Sequence, residues 1–232
     1  MQAKVGCLSG AQLKAIAMAS MLADHLNKAV IYRYLDGGGV LEVISDIFDV
    51  IGRLAFPVFC FLLVEGFMKT KSRLRYLWHL IVFGILSEVL FDMMTSGVII
   101  EWNWNNVMFT FALLLLTLWA IDALRGRTGR VLWYCLSVLI LAAGCAAAVF
   151  LSVDYDYHAI LMGCFFYLFY DRPPLALPFC ALALYKTPAA WLGILLCLAY
   201  NGRRGRQQKL VAYSFYPAHM LILGILRMIL KI

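Results

Sequence analysis

Apolar stretches near 11–31, 44–68, 74–94, 104–124, 131–151, 155–171, 173–186, 187–201 and 210–230 constrain this chain more than any other feature. A helix needs about 20 apolar residues to cross a hydrocarbon layer of about 30 Å. Lipid must then be the solvent for most of the surface, and the expected fold is all-α: a polytopic integral membrane helix bundle. We read about nine transmembrane helices, within a range of about 7–10. The stretches from 173 to 201 are short and parted only by Lys186-Thr187-Pro188, so they read as two thin crossings or one broken hairpin. Composition agrees. The chain is 64% apolar and 14% charged, against about 45–50% and about 25% in soluble domains. A soluble enzyme, a secreted disulfide scaffold and a disordered chain are excluded. No linker or internal repeat interrupts residues 1–232, which read as a single domain.

The net charge of +7 sits in the loops. Lys69, Lys71, Arg73 and Arg75 follow the second stretch; Arg125, Arg127 and Arg130 follow the fourth; Arg172 follows the sixth; Arg203, Arg204, Arg206 and Lys209 follow the eighth. With Lys4 these lie on one side, while Lys28, Arg33, Lys186 and Lys231 lie on the other. Such a bias orients membrane proteins with the basic side inward, which puts the N-terminus in the cytoplasm and the C-terminus outside. The pattern does not track phosphates, so no nucleic-acid partner is expected. Seven cysteines stand singly, without ligand spacing, so neither a disulfide framework nor a metal site is expected.

Ionisable groups at membrane depth cost roughly 2.5–3.5 kcal/mol each. Lys14, Asp24, His25, Asp49, Arg53, Glu65, His79, Glu88, Asp92, His219 and Arg227 all fall inside apolar stretches. At a rise of about 1.5 Å per residue, His25 lies about 21 Å from the cytoplasmic edge and Arg53 about 13 Å below the outer one. Glu88 and Asp92, one turn apart, share that outer half, so a common polar cavity is expected. Lys14 and His25 lie about 16 Å apart on one helix face. Each residue also has a plainer reading. Lys14 is a cavity cation or a snorkelling anchor; Arg53 is a site residue or a counter-ion for Glu88; Glu65 lines the cavity or pairs with Lys69. His79 and Arg227 read as interfacial, and His25 has a packing role as its alternative. Asn105 and Asn106, and the cluster Asp154, Tyr155, Asp156, Tyr157 and His158, read as helix caps or as the mouth of the cavity.

Several stretches carry a resemblance. They are Lys14…Met21-Leu22-Ala23-Asp24-His25, Ile51-Gly52-Arg53-Leu54-Ala55-Phe56-Pro57-Val58-Phe59, Glu65-Gly66-Phe67 with Thr70, Ser87-Glu88-Val89-Leu90-Phe91-Asp92, Asn106…Phe109-Thr110 and Phe215-Tyr216-Pro217-Ala218-His219. Their order resembles the TraX family, membrane proteins named for N-terminal acetylation of a conjugative pilin. That family in turn resembles larger transmembrane acyltransferases, which carry a basic residue, ten positions and a histidine on the first helix. Here the basic residue is Lys14, a point charge where those relatives usually carry a planar guanidinium.

The resemblance implies a multi-pass acetyltransferase of the bacterial inner membrane. It would move an acetyl group from cytoplasmic acetyl-CoA to an amine or hydroxyl of an acceptor peptide, glycan or lipid. His25 would be the general base, with Asp24, Arg53 and Glu88 as catalytic companions. Lys14, Lys69, Lys71, Arg73, Arg203 and Arg204 would hold the cofactor. Asp92, Asn105, Asn106, Glu65, Tyr155, His158, Tyr216 and His219 would line the acceptor cavity. The lipid bilayer and acetyl-CoA are the expected partners, and a homodimer stays open. Two rival readings remain: a proton-coupled or small-molecule transporter that uses the same charges, and a non-catalytic assembly partner of another membrane complex.

Overall fold

Ser9 starts the first helix. Its hydroxyl accepts the Gln12 N–H at 3.3 Å and the Gln12 side chain accepts the Ser9 N–H at 2.9 Å, a reciprocal cap that satisfies otherwise orphaned donors. Helix α1 then runs Gly10–Ala29, followed by a short 3-10 turn at Ile31–Tyr34. The helices after it are α2 Val40–Gly52, α3 Ala55–Lys69, α4 Arg73–Thr95, α5 Val107–Leu124 and α6 Arg130–Phe150. They continue with α7 Asp156–Leu168, α8 Pro173–Ala183, α9 Ala190–Leu198 and α10 Lys209–Leu230. The computed structural model describes residues 6–35 and 39–230, with the side chains of all of these except 209–213. Lys4 and Lys231, which entered the charge map, lie outside the described residues, as does the side chain of Lys209.

Among the described residues, four helical stretches are long and apolar enough to cross a membrane: Val40–Lys69, Arg73–Thr95, Val107–Leu124 and Arg130–Phe150. They mark a helical membrane protein. Helices α7, α8 and α9, with 13, 11 and 9 residues, fall short of the length expected of a crossing. Pro173-Pro174 and Pro188 bound that region and stop helices from merging. The stretch expected at 44–68 is also broken. Pro57 lacks the N–H that would bond the carbonyl of Arg53, so α2 ends there and α3 starts at Ala55. Helix α6 shows why lipid is needed: Val138 and Leu139 are 63% and 64% exposed. In water each would forgo up to about 1.5–3 kcal/mol of burial.

The chain divides into two compact units. The first comprises Met1–Phe59, Leu86–Glu101 and Tyr185–Ile232, and the second Cys60–Ile85 and Trp102–Leu184. In the first, α1 packs on α2 and α10. Buried Asn27 and Ser45 bind reciprocally: Asn27 Nδ2 donates to the Ser45 carbonyl at 2.9 Å and Ser45 Oγ donates to Asn27 Oδ1 at 2.8 Å. Ser20 Oγ donates to the Ile51 carbonyl at 2.6 Å. The helices approach so closely at Gly52 that an added Cβ would stand 2.4 Å from that of Asp24. Gly52→Ala is therefore expected to lower stability by about 1–3 kcal/mol, measured as a reduced thermal midpoint in detergent.

In the second unit α5, α6 and α7 pack on one another and α8 packs on α7. Leu114, Leu115, Leu118, Ile160 and Met162 form its buried centre. The segment before α7 is tight, with positive φ at Ser152, Tyr155 and Asp156. Side-chain hydrogen bonds hold it: Asn105 Nδ2 donates to the Leu151 carbonyl at 2.6 Å, and Thr110 Oγ1 donates to that of Asp154 at 2.5 Å.

Candidate functional site

Two histidines from opposite ends of the chain meet in the first unit. Helix α1 carries His25 and α10 carries His219; His25 Nδ1 lies 2.7 Å from His219 Nε2. The ring planes are 7° apart and the centroids 5.0 Å apart. That spacing equals the nitrogen–nitrogen distance plus one ring radius on each side, so the rings lie edge to edge in a common plane. This is the geometry of a directed hydrogen bond, not of face-to-face stacking. His219 Nδ1 lies 2.6 Å from the carbonyl of Phe215. The Phe215 ring stacks on His219 at 4.8 Å, and the ring of Tyr216 meets it edge-on at 5.8 Å. His219 is buried and His25 partly so.

The expected companions of His25 are engaged elsewhere. Asp24 binds Lys28 at 2.7 Å, one turn along α1. Arg53 binds Asp49 at 2.7 Å, one turn back on α2. Glu88 lies on α4 with Oε1 buried. One turn on, Asp92 is 1% exposed. Its Oδ2 accepts the Glu101 N–H at 2.9 Å, and its carbonyl accepts the N–H groups of Ser96 and Gly97. Asp92 thus closes the turn after α4. Arg227, expected at an interface, is buried and donates to the Met94 carbonyl at 2.9 Å; Arg33 donates to that of Thr95 at 3.4 Å. Both cations sit where a helix C-terminus exposes unpaired carbonyls and negative dipole charge.

At the start of α1 the structure gathers three of the expected cofactor-holding residues. The carbonyls of Arg203 and Arg204 accept the N–H groups of Gly10 and Ala11, each at 2.9 Å. The two side chains are exposed, and the charge of Arg204 acts on half-buried Lys14.

The remaining sequence candidates belong to the second unit. Lys69 pairs with Glu65 one turn away, and Lys71 is exposed in the loop before α4. Asn106 caps α5 by accepting the Met108 N–H at 2.9 Å, and its Nδ2 donates to the Gly84 carbonyl at 2.8 Å. Tyr155 precedes α7, and His158 stacks on Tyr157 at 4.1 Å. Arg73 donates to Asp122 Oδ2 at 2.5 Å with its guanidinium 4.3 Å above the Phe67 ring, while Tyr167 donates to Asp122 Oδ1 at 2.6 Å. The sequence reading passed over Asp122 and Tyr167. The available signal was a lone carboxylate inside the apolar run of α5.

Among the described residues no group of three or more His, Cys, Asp or Glu is arranged to hold a metal ion. The polar contact that distinguishes the first unit is a pair of imidazoles whose ring nitrogens meet at 2.7 Å. Imidazole is also the side chain whose proton balance lies nearest neutrality.

The sequence profile of the family described as TraX protein matches residues 9–227. The chain is also similar to a protein of Dichelobacter nodosus described as probable fimbrial assembly protein FimC, serogroup H1. The two are 30% identical over 255 aligned positions, which cover 96% of this chain and 97% of that protein. No solved structure matches. The relative's description is of fimbrial assembly and names no acyl transfer. The expected function, acetyl transfer from acetyl-CoA with His25 as general base, is corrected on that finding. A transporter finds no better support.

Proposed function

The chain belongs to the TraX family, and from that premise we propose that it acts, from within the membrane, in the assembly of a surface fimbria. The carrying observation is the end-to-end similarity to a fimbrial assembly protein. A match over nearly the full length of both chains involves the whole order of helices, not one borrowed segment. It shares with the third reading of the sequence only the role in assembly: a non-catalytic partner would tolerate the loss of His25, whereas here the His25–His219 pair is required. The proposed seat is the bacterial inner membrane, with the N-terminus in the cytoplasm in keeping with the basic loops. The fimbrial subunit is the proposed client. The His25–His219 pair is the proposed working centre, because it joins two polar groups at membrane depth where each alone is costly.

Deleting the gene for this chain in its own host tests the proposal. Surface fimbriae counted by negative-stain electron microscopy should disappear or fall sharply. The fimbrial subunit, followed by immunoblot, should still accumulate in the membrane fraction. Wild-type fimbriation in the deletion strain would end the reading.

A further inference from the structure

We infer that His219 is a positioning residue: it holds His25 with its hydrogen on Nδ1 and leaves Nε2 of His25 as a bare lone pair. The inference starts at the carbonyl of Phe215, which can only accept. His219 Nδ1, 2.6 Å away, must therefore carry a hydrogen. In a neutral ring the other nitrogen then carries none, so His219 Nε2 is an acceptor. The 2.7 Å contact to His25 Nδ1 needs one hydrogen, and only His25 is left to supply it. Its own Nε2 is consequently unprotonated. The coplanar rings point the donor straight at the acceptor lone pair.

Charge supports the neutral pair. A cationic ring packed between α1 and α10 would need an anion beside it. The adjacent carboxylate, Asp24, is bound to Lys28, and no ion pair to either ring occurs among the described residues. This hydrogen placement is the reverse of the one a histidine side chain favours in water, so a specific neighbour must impose it. Ala at 219 would offer no acceptor, whereas a carboxamide there could still present its oxygen to His25 Nδ1. The consequence is a definite ligand class. Any group that hydrogen-bonds Nε2 of His25 must bring its own hydrogen: an ammonium, an amine or a hydroxyl, not a carboxylate or a carbonyl.

The inference builds on the pair as working centre only for its cellular effect, since the hydrogen placement is read without fimbriae. The chain has four histidines, few enough for imidazole-15N spectra of the full-length protein in detergent micelles. His79→Asn and His158→Asn assign the other two rings. The expected native spectrum has a protonated Nδ1 and a bare Nε2 for His25, with a 15N–15N coupling across the hydrogen bond to His219. In His219→Ala the His25 hydrogen should move to Nε2. In His219→Gln, whose carboxamide oxygen offers an acceptor, it should stay on Nδ1.

A native His25 with its hydrogen on Nε2, or a doubly protonated ring, would overturn the inference, and so would an unmoved hydrogen in a folded His219→Ala protein. If that variant does not fold, the native spectrum alone still decides. The expected spectra combined with normal fimbriation in His219→Ala cells would keep the hydrogen placement and remove only the fimbrial role.

Discussion

Cells carrying His25→Ala are expected to resemble the deletion strain, with fimbriae absent from their surface while the protein is still found in the membrane. The substitution removes the ring that faces His219 and with it the bond between α1 and α10. His219 Nε2 is left without its donor, at a cost of about 1–3 kcal/mol for a buried polar group. A well-packed helical protein survives a loss of that size, because Asn27–Ser45 and Ser20 still tie α1 to α2. The measurement pairs fimbria counts with membrane abundance by immunoblot. His79→Ala is the control: that ring is exposed, and its loss should change neither. Normal fimbriation in His25→Ala cells would reduce the pair to a packing contact between two helices.

The largest effect on stability is expected at Asp122. Its two oxygens satisfy a guanidinium from α4 and a phenol from α7, so one side chain on α5 fastens three helices. Asp122→Ala leaves buried Tyr167 without an acceptor and Arg73 without a counter-charge. Removing one member of a buried ion pair costs about 3–5 kcal/mol. Arg73 and Asp122 keep 30% and 22% exposure, which lowers the expectation to about 2–4 kcal/mol. Tyr167→Phe, which deletes one hydrogen bond, should cost about 1 kcal/mol. Arg73→Lys should fall between the two, since an ammonium keeps the charge but loses the flat contact with Phe67. Thermal midpoints in detergent rank the series, and an Asp122→Ala protein as stable as Tyr167→Phe would refute the bridging role.

Much of the fold was legible in advance. The apolar runs gave the helices from α4 to α6 to within a few residues, because lipid forces every backbone polar group into a local helical bond. Period and hydropathy report such local bonds directly. The break at Arg53 lay in Pro57 but was hidden by the high average hydropathy of the stretch, since proline disrupts hydrogen bonding without adding polarity. The site was less legible. His25 and His219 were both candidates, yet one was grouped with Arg53 and Glu88 by depth and the other with the cavity lining. Depth fixes height in the membrane but not direction around the helix, and Asp24, Arg53 and Glu65 each found a partner one turn away on their own helix.

The sequence by itself determined that this chain is helical, that its apolar stretches suit lipid, and which few residues carry charge among apolar neighbours. Those properties depend on side-chain type and spacing along the chain, and solvent reads them without help from the rest of the fold. That four helical stretches among the described residues are long enough to cross came from the structure, where about nine had been expected. The tertiary structure alone decided partnership. It set the edge of His25 against the edge of His219, 194 positions apart, and turned Arg227 onto the end of α4 and Arg73 onto Asp122. A hydrogen bond demands ångström placement and a common plane, and only the packing of one helix on another supplies either.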